Sequence, residues 1–366
     1  MKVLLHRTFL IAILLTATVS AAGKRSRYHP KPPNEQKPNS AQVEAATRLQ
    51  IFLDRANFSP GALNGRYNEF TIKALALYRQ SRGEPAPPPP TKPDTAPDIS
   101  GLDLASIAPV FIDYTVTDAD LQNLGPVPSS VAAQAKLKSL PYRDATEAIA
   151  EKFHSDIRFL EELNPGKTKA IKAGDQLRVP NVEPFEFVTV KDLKPGSEMA
   201  PPAANDLPDE TESQNEKASP ATKDNSATPA SLATSVKIDT KTNMLGVFEA
   251  DKLVAAYPVT IGSAQTASPI GEWKVRAITK LPRFRYDKEM LKHGQRSGNF
   301  HMLPPGPNSP VGVIWIALNK KGIGLHGTNE PETIGHTVSH GCIRLANWDV
   351  VQLAQRVKPG VPVSIH

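Results

Sequence analysis

The sequence predicts a multidomain protein that ends in a mostly-β sandwich or barrel with one main helix, preceded by a small α-helical module and a small α+β module. Three observations support this fold class. The 366-residue chain is long enough for two or three domains. Its 35 prolines are about double the usual share, which indicates linkers between domains. From residue 235 onward, short apolar runs typical of strands replace the helical periodicity of the earlier segments.

The predicted domain organisation follows these changes in composition. We predict a disordered basic lead-in at 23–40, a helical module at 41–83, a proline-rich linker at 84–107, an α+β region at 108–190, a flexible linker at 191–234 and the β domain at 235–366. Apolar residues at helical spacing predict two helices in the first module and two more in the second region, which also contains short strands. The linkers lack the apolar side chains that a core needs.

Residues 1–22 have the pattern of a secretory signal peptide. Lys2, His6 and Arg7 precede an apolar run at 8–19, and small residues follow at 20–22. The run is shorter than the roughly 20 residues that span a bilayer, so no stable membrane anchor is expected after cleavage, with an uncleaved anchor as the alternative. The sequence therefore predicts export to the periplasm or cell wall.

The β domain is predicted to contain a series of short strands and one clear helix. The strand patterns lie at 236–238, 245–248, 253–261, 273–277, 311–318, 322–326 and 361–365. A helix is predicted over 348–357, with Asn347 as its N-cap.

The net charge of +6 suits a polyanionic neighbour such as a cell wall or a membrane surface. No stretch interleaves aromatic residues with runs of Lys and Arg, so nucleic acid is not predicted as a partner.

The candidate chemistry is concentrated at 325–345, which reads LHGTNEPETIGHTVSHGCIRL. Cys342 is the single cysteine of the chain, and a lone thiol is unusual in an exported protein. His326, His336 and His340 lie close to it in sequence. An imidazole can accept the proton of a thiol and so activate it as a nucleophile. Backbone N–H groups around Gly341 and Cys342 could hold a developing oxyanion.

Two other interpretations of this segment compete with a thiol–imidazole site. His336, His340 and Cys342 have a spacing that zinc ligands can adopt. However, the glycines suit a close approach of substrate better than a rigid ligand set, so neither a metal nor an organic cofactor is predicted. The second alternative is a structural one, in which the cysteine is buried and inert and the histidines are ordinary loop residues.

The C-terminal part of the chain resembles the L,D-transpeptidase (YkuD-type) catalytic domain. The resemblance rests on Leu325–Thr328 and Ser339–Leu345, with support from Ser268–Trp273 upstream. It implies a YkuD-like fold with Cys342 as the nucleophile and His326 as the base. It also implies the following supporting residues: the Gly327 carbonyl orients the base, His340 and Gly341 line the oxyanion region, and Ser339 and Arg344 bind substrate.

The same resemblance implies peptidoglycan as the partner. Cys342 would form a thioester with a tetrapeptide stem and pass it to an amine, giving a 3-3 cross-link or attachment to a lipoprotein lysine. Two alternatives stay open. Water as the acceptor would make the protein an L,D-carboxypeptidase, and an inactive catalytic domain would leave a peptidoglycan-binding anchor.

The two preceding regions have resemblances of their own. Residues 43–83 resemble a peptidoglycan-binding helical module, although Asn64 and Arg79 differ from the usual Asp and Gln of that pattern. Residues 142–181 resemble a LysM motif whose first strand is displaced to about 110–117, so that an insertion separates it from the helices. Both resemblances imply contact with the cell wall.

Overall fold

The computed structural model describes residues 39–88, 95–194, 234–264, 266–293, 295–337 and 339–366. The predicted signal peptide, nearly all of the basic lead-in, part of the proline-rich linker and nearly all of the second linker lie outside these ranges. No helix within them is both long and apolar enough to span a bilayer.

Two helices form the first module, as the periodicity predicts. They are α1 (Ser40–Arg55) and α2 (Glu69–Ser81). Both begin at an asparagine cap: Asn39 accepts from the Gln42 N–H in a capping box, and Asn68 accepts from the Thr71 N–H. The buried Gln50 amide fixes the intervening turn, because it donates to the Thr71 hydroxyl at 3.1 Å and accepts from Gly65 N–H.

The next region is a small α+β unit. Its elements are β1 (Phe111–Thr115), α3 (Val131–Gln134), α4 (Ala145–Lys152), α5 (Ile157–Leu163) and β2 (Gln176–Pro180). Strands β1 and β2 pair antiparallel, and the helices between them bury Ile149, Phe153 and Leu160 against the pair. Short 3-10 helices lie at Leu104–Ser106, Asp118–Leu121, Thr168–Ala170 and Phe187–Asp192.

The C-terminal domain is built on a curled eight-stranded sheet with the strand order β11-β10-β9-β6-β12-β3-β4-β5. Its strands are β3 (Thr234–Asp239), β4 (Met244–Glu249), β5 (Lys252–Pro258), β6 (Gly271–Lys280), β9 (Ile314–Leu318), β10 (Gly324–His326), β11 (Ile343–Arg344) and β12 (Pro362–Ile365). The main helix, α7 (Asn347–Arg356), packs Trp348, Val350 and Leu353 into the core on this sheet.

A separate hairpin extends from the sheet beside β6 and β9. It consists of β7 (Phe284–Asp287), the short helix α6 (Lys288–His293) and β8 (Phe300–Leu303), and we call residues 283–303 the flap. The sequence pattern predicts only one helix in this domain. A six-residue helix offers less than two turns of periodicity, so α6 left no signal that pattern analysis detects.

The prediction that Asn347 is the N-cap of α7 is wrong. Ala346 is the N-cap, and Asn347 is the first helical residue. The Asn347 side chain is fully buried and turned away from the helix end: its Oδ1 accepts from Val313 N–H at 3.1 Å, and its Nδ2 donates to Glu151 at 2.7 Å.

Residues 39–366 form one compact unit, in which both N-terminal regions contact the C-terminal domain. Ser59, in the turn of the helical module, donates to buried Asp349 of α7 at 3.0 Å. His154, which follows α4, stacks on Trp348 with a ring separation of 5.1 Å. A short 3-10 helix, Pro331–Thr333, lies in the segment that leads to Cys342.

Candidate active site

Strand pairing brings the two main site residues together. Strands β10 and β11 are parallel neighbours, with Leu325 opposite Ile343 and His326 opposite Arg344. Cys342 immediately precedes Ile343, so this register places it beside the strand that carries His326. The 15 residues between them, 327–341, connect the two sites in the chain.

His326 is buried and tightly oriented. Its Nδ1 lies 2.7 Å from the Gly327 carbonyl oxygen, and its ring stacks on Trp315 at 5.2 Å and 14°. A carbonyl only accepts hydrogen bonds, so this contact assigns the proton to Nδ1 and leaves Nε2 as an acceptor. Burial lowers the pKa of His326 to about 3 despite this hydrogen bond, and the charge of Arg344 lowers it further.

Cys342 is a protonated thiol in the resting site. Its Sγ donates to the Gly322 carbonyl at 3.4 Å. Burial raises the pKa of the thiol to about 11, while a hydrogen bond from the Gly324 backbone and the charge of Arg344 act in the opposite direction. The site therefore holds a neutral thiol and a neutral imidazole at pH 7, and not an ion pair.

The backbone before Cys342 is held by two serine hydroxyls. Ser339 Oγ donates to the Cys342 carbonyl at 2.5 Å and accepts from Gly341 N–H at 3.1 Å. Ser268 Oγ donates to the Gly341 carbonyl at 3.0 Å. Gly341 has a φ of +110°, a conformation that a side chain rarely adopts. The Ser339 hydroxyl is thus used to shape the loop, and the Gly341 N–H is already bonded to it.

A cavity of about 800 Å³ opens onto the site. Five of the predicted site residues line it, namely His326, Ser339, His340, Cys342 and Arg344. Gly327 and Gly341 are not among its lining residues, and their backbone groups contact His326 and Ser339 respectively. Desolvation and the charge of Arg344 lower the pKa of His340.

His336 lies away from the thiol and packs edge-on against Phe70 of α2, with ring centroids 5.7 Å apart. Within the described ranges, no three His, Cys, Asp or Glu side chains are grouped so that they could hold a metal ion. His336, His340 and Cys342 therefore do not form such a group in this fold, although their sequence spacing would allow it.

Two residues that pack around His326 and Gly327 were not predicted from the sequence. Trp315 supplies the stacking surface for His326, and within an apolar strand nothing marked it as different from a core residue. Asn347 Oδ1 packs against Gly327, whose carbonyl contacts His326: a Cβ added at Gly327 would lie 2.1 Å from this oxygen, so only glycine fits there. The Leu-His-Gly-Thr motif carries a signal for this close approach, since it contains the glycine.

Comparison with known proteins assigns the C-terminal domain. Residues 233–365 match the family model of the YkuD L,D-transpeptidase catalytic domain. The protein named L,D-transpeptidase YkuD in Bacillus licheniformis is 34% identical over 137 residues, which are 37% of this chain and 68% of that relative. The protein named L,D-transpeptidase YqjB in Bacillus subtilis is 33% identical over 135 residues, 36% of this chain and 69% of the relative.

Solved structures resemble a limited part of the chain. The L,D-transpeptidase from Mycobacterium smegmatis aligns with 37% of this chain and 59% of its own, at 18% identity and a TM-score of 0.31, so it adds nothing to the assignment. The assignment comes from the sequence relatives, two-thirds of whose length this chain covers, and from the match at 233–365. The chain belongs to the YkuD-type L,D-transpeptidase family of enzymes.

Proposed function

We propose that this protein is an exported enzyme in which Cys342 forms a thioester with a peptidoglycan tetrapeptide stem and transfers it to an amine. The observation that carries the proposal is the 2.7 Å contact between His326 Nδ1 and the Gly327 carbonyl oxygen. It leaves Nε2 as the basic nitrogen of a buried imidazole that shares a cavity with the only thiol of the chain. This is the arrangement that nucleophilic catalysis by a thiol requires.

The acylation step follows from the protonation states. Cys342 Sγ attacks the carbonyl carbon of the third stem residue while its proton passes to His326 Nε2. Because the thiol pKa is about 11 and the imidazole pKa about 3, proton transfer accompanies the attack and does not precede it. The bond to the terminal D-alanine then breaks, and its nitrogen takes the proton from Nε2, which leaves a neutral imidazole and a thioester.

The second half-reaction reverses these roles. The acceptor amine attacks the thioester carbonyl, gives a proton to Nε2, and Sγ leaves and recovers it. A buried neutral base is suited to this step, because it binds the proton only transiently. With a diaminopimelate amine the product is a 3-3 cross-link, and with a lipoprotein lysine it is an attached protein. Water in place of the amine would give an L,D-carboxypeptidase.

The supporting residues have proposed roles that fit their positions. We assign the Cys342 N–H to the oxyanion, with His340 beside it, because the Gly341 N–H is bonded to Ser339. Arg344, half-buried in the cavity wall, would hold a carboxylate of the donor stem. Ser339 acts on substrate indirectly, through the loop conformation that its hydroxyl maintains.

The wider organisation belongs to the same proposal. We place the signal peptide at 1–22, wall-binding regions at 41–83 and 108–190, and the catalytic domain at 235–366. The basic net charge of the chain supports a location beside a polyanionic wall. A chain that only anchored itself to the wall would not need an oriented imidazole beside its thiol, so we favour the enzyme over the anchor.

The first test is the intact mass of the full chain after incubation with a carbapenem and, separately, with tetrapeptide stems. We expect a covalent carbapenem adduct and release of D-alanine from the stems, both lost in Cys342→Ala. Product masses then distinguish cross-links from hydrolysis. An unmodified wild-type protein with unchanged stems would overturn the proposal, provided that the thiol of the same sample reacts with a small neutral alkylating reagent.

A further inference from the structure

The cavity beside Cys342 has a one-sided charge distribution. Besides Arg285 and Arg344, five basic residues line it: Arg276, Arg283, Lys288, Lys292 and Lys321. None of the described lining residues is Asp or Glu. A cleft lined by charges of one sign concentrates ligands of the opposite sign.

Most of these cations belong to the flap, which is anchored and not a loose loop. Asp287 is buried at its centre and accepts from the backbone N–H groups of Met290 at 3.2 Å and Ser297 at 2.7 Å. These contacts hold both ends of the segment around α6, and they keep the pKa of Asp287 well below its usual range. Arg285 ties the same segment together by donating to the Ser297 carbonyl at 2.6 Å.

The flap is also close to the nucleophile. A Cβ added at Gly322 would lie 3.7 Å from Met290 Cε, and the Gly322 carbonyl accepts from the Cys342 thiol. Lys288 and Lys292, which belong to the same helix as Met290, line the cavity that Cys342 also lines. Arg283, at the base of the flap, and Lys321, beside Gly322, extend this surface.

Four of the cations have no partner inside the described part of the chain. Arg283, Lys288, Lys292 and Lys321 are exposed, and no carboxylate of the described residues forms an ion pair with any of them. The two acidic residues of the flap have other partners: Asp287 accepts from Ser297 N–H, and Glu289 lies 3.8 Å from His293. We call these four residues the cationic wall.

The proposed donor has the complementary charge. A tetrapeptide stem with D-glutamate and diaminopimelate carries three carboxylates against one ammonium group. Two of these carboxylates, on D-glutamate and on the distal end of diaminopimelate, take no part in the reaction. Conversion of either into a carboxamide removes its charge and alters little else. Such a change is what a wall of unpaired cations would detect.

We infer that the cationic wall binds the non-reacting carboxylates of the donor stem, so that the enzyme selects stems with free carboxylates over stems in which they are amidated. This inference rests on the proposed function of the site. The cations are solvent-exposed, so each contributes modestly, and amidation of one carboxylate should lower the acylation efficiency by about threefold to tenfold. The preference should weaken as salt is added.

The experiment measures acylation alone, by the rate of D-alanine release in a single turnover without acceptor. Full-length protein is compared on four stems that carry a carboxylate or a carboxamide at the two positions. The variants are Lys288→Gln combined with Lys292→Gln, and separately Lys321→Gln. The control is Lys358→Gln, which removes one positive charge from an exposed turn outside the cavity and so matches Lys321→Gln.

We expect the double variant to bring the ratio between free and amidated stems close to one, while the control retains the wild-type ratio. Equal rates of the wild type on all four stems would overturn the inference and leave the proposed function intact. A double variant that keeps the wild-type ratio would overturn it as well, because these lysines would then not bind the carboxylates. No acylation of Cys342 by any stem would instead contradict the proposed function.

Discussion

At the residue scale, two contacts and burial keep the imidazole of His326 oriented and neutral. The Gly327 carbonyl fixes its tautomer, Trp315 covers one ring face, and burial disfavours the charged form. Desolvation lowers the proton affinity of the imidazole. It also removes water molecules that would otherwise form hydrogen bonds with Nε2. Cys342 and His326 are therefore both neutral in the resting site, and the proposed reaction does not start from a standing thiolate.

A pH profile checks this protonation state. Because the pKa of His326 is about 3, below the ordinary value near 6.5, the base stays neutral as the pH falls from 8 to 5. We expect the rate of carbapenem acylation of Cys342 to change by less than about twofold over that range. The rate is measured by mass spectrometry after rapid quenching, with circular dichroism at each pH to verify the fold. A tenfold decline centred near pH 6.5 would show that the imidazole titrates normally.

The sequence predicts Cys342 and His326 as the reacting pair, but it does not indicate the residues that pack behind them. Cys342 and His326 stand in short motifs rich in glycine and histidine, and thiol chemistry restricts which residue types can serve. Asn347 is different, because an asparagine before a helical pattern predicts an N-cap. The sequence does not show whether its side chain bonds to the helix backbone or points into the core. Only the packing of Gly312 and Gly327 around its Oδ1 decides between the two.

At the scale of elements, helix α2 supports the loop that leads to Cys342. Phe70 is buried, and its ring fills the space where a side chain at Gly335 would lie: an added Cβ would be 2.0 Å from Phe70 Cζ. The Gly335 N–H also donates to Thr260 Oγ1 at 2.9 Å, and Thr260 exchanges backbone hydrogen bonds with Arg344. The loop is thus held between the helical module and the strand that follows the nucleophile.

Substitution of this glycine tests the support. Gly335→Ala should displace the loop from Phe70 and slow acylation of Cys342 by about tenfold or more, since small misplacements of reacting groups are costly. Gly83→Ala is the matched control. Its φ of +73° is nearly the same as the +75° of Gly335, so the backbone strain is similar, but no atom lies within 4 Å of its added Cβ. Equal acylation rates in the two variants would contradict a role for this contact.

Sequence patterns predict the longer helices and strands, but they do not predict the flap. Apolar periodicity marks α1, α2 and α7 because each has at least ten residues and one buried face. The flap consists of two four-residue strands around a six-residue helix, and its stability comes from the hydrogen bonds to Asp287. A carboxylate that bonds to residues up to ten positions away leaves no periodic trace.

At the scale of the whole molecule, a buried carboxyl connects the α+β region to the catalytic domain. Glu151 of α4 accepts from Asn347 at 2.7 Å, and burial raises its pKa to about 8. Glu147 and Glu332 raise the pKa further by charge repulsion, while hydrogen bonds from Tyr142 and Asn347 favour the ionised form. The folded protein thus binds a proton at Glu151 at neutral pH that the unfolded chain releases.

This difference predicts how stability varies with pH. Between the ordinary glutamate pKa near 4.5 and about 8, the folded state binds more protons at Glu151 than the unfolded state does, so its contribution to stability falls as the pH rises. We expect Glu151→Gln to gain stability relative to wild type between pH 5 and pH 7.5, by at most about 1.4 kcal/mol per pH unit. Urea unfolding at pH 5 and at pH 7.5 measures the free energy of unfolding of both proteins.

The control for this effect is Glu161→Gln, an exposed carboxyl on the neighbouring helix α5, which should not change the pH dependence. The contribution of His326 has the opposite sign, since its neutral folded form is lost in favour of the protonated unfolded chain as the pH falls below about 6.5. It is present in all three proteins, so it cancels in the comparison. Parallel stability curves for wild type and Glu151→Gln would contradict the raised pKa.

The turn of the helical module has a further consequence for the sheet. Strand β5 is an edge strand, and an uncovered edge presents backbone groups that can pair with another molecule. Here Ala256 N–H donates to the Asn57 carbonyl at 2.9 Å, and the Ala256 carbonyl accepts from Ser59 N–H at 2.8 Å. The module therefore closes this edge at its middle. A catalytic domain cut free of its first helices would expose that edge and become prone to self-association through strand addition.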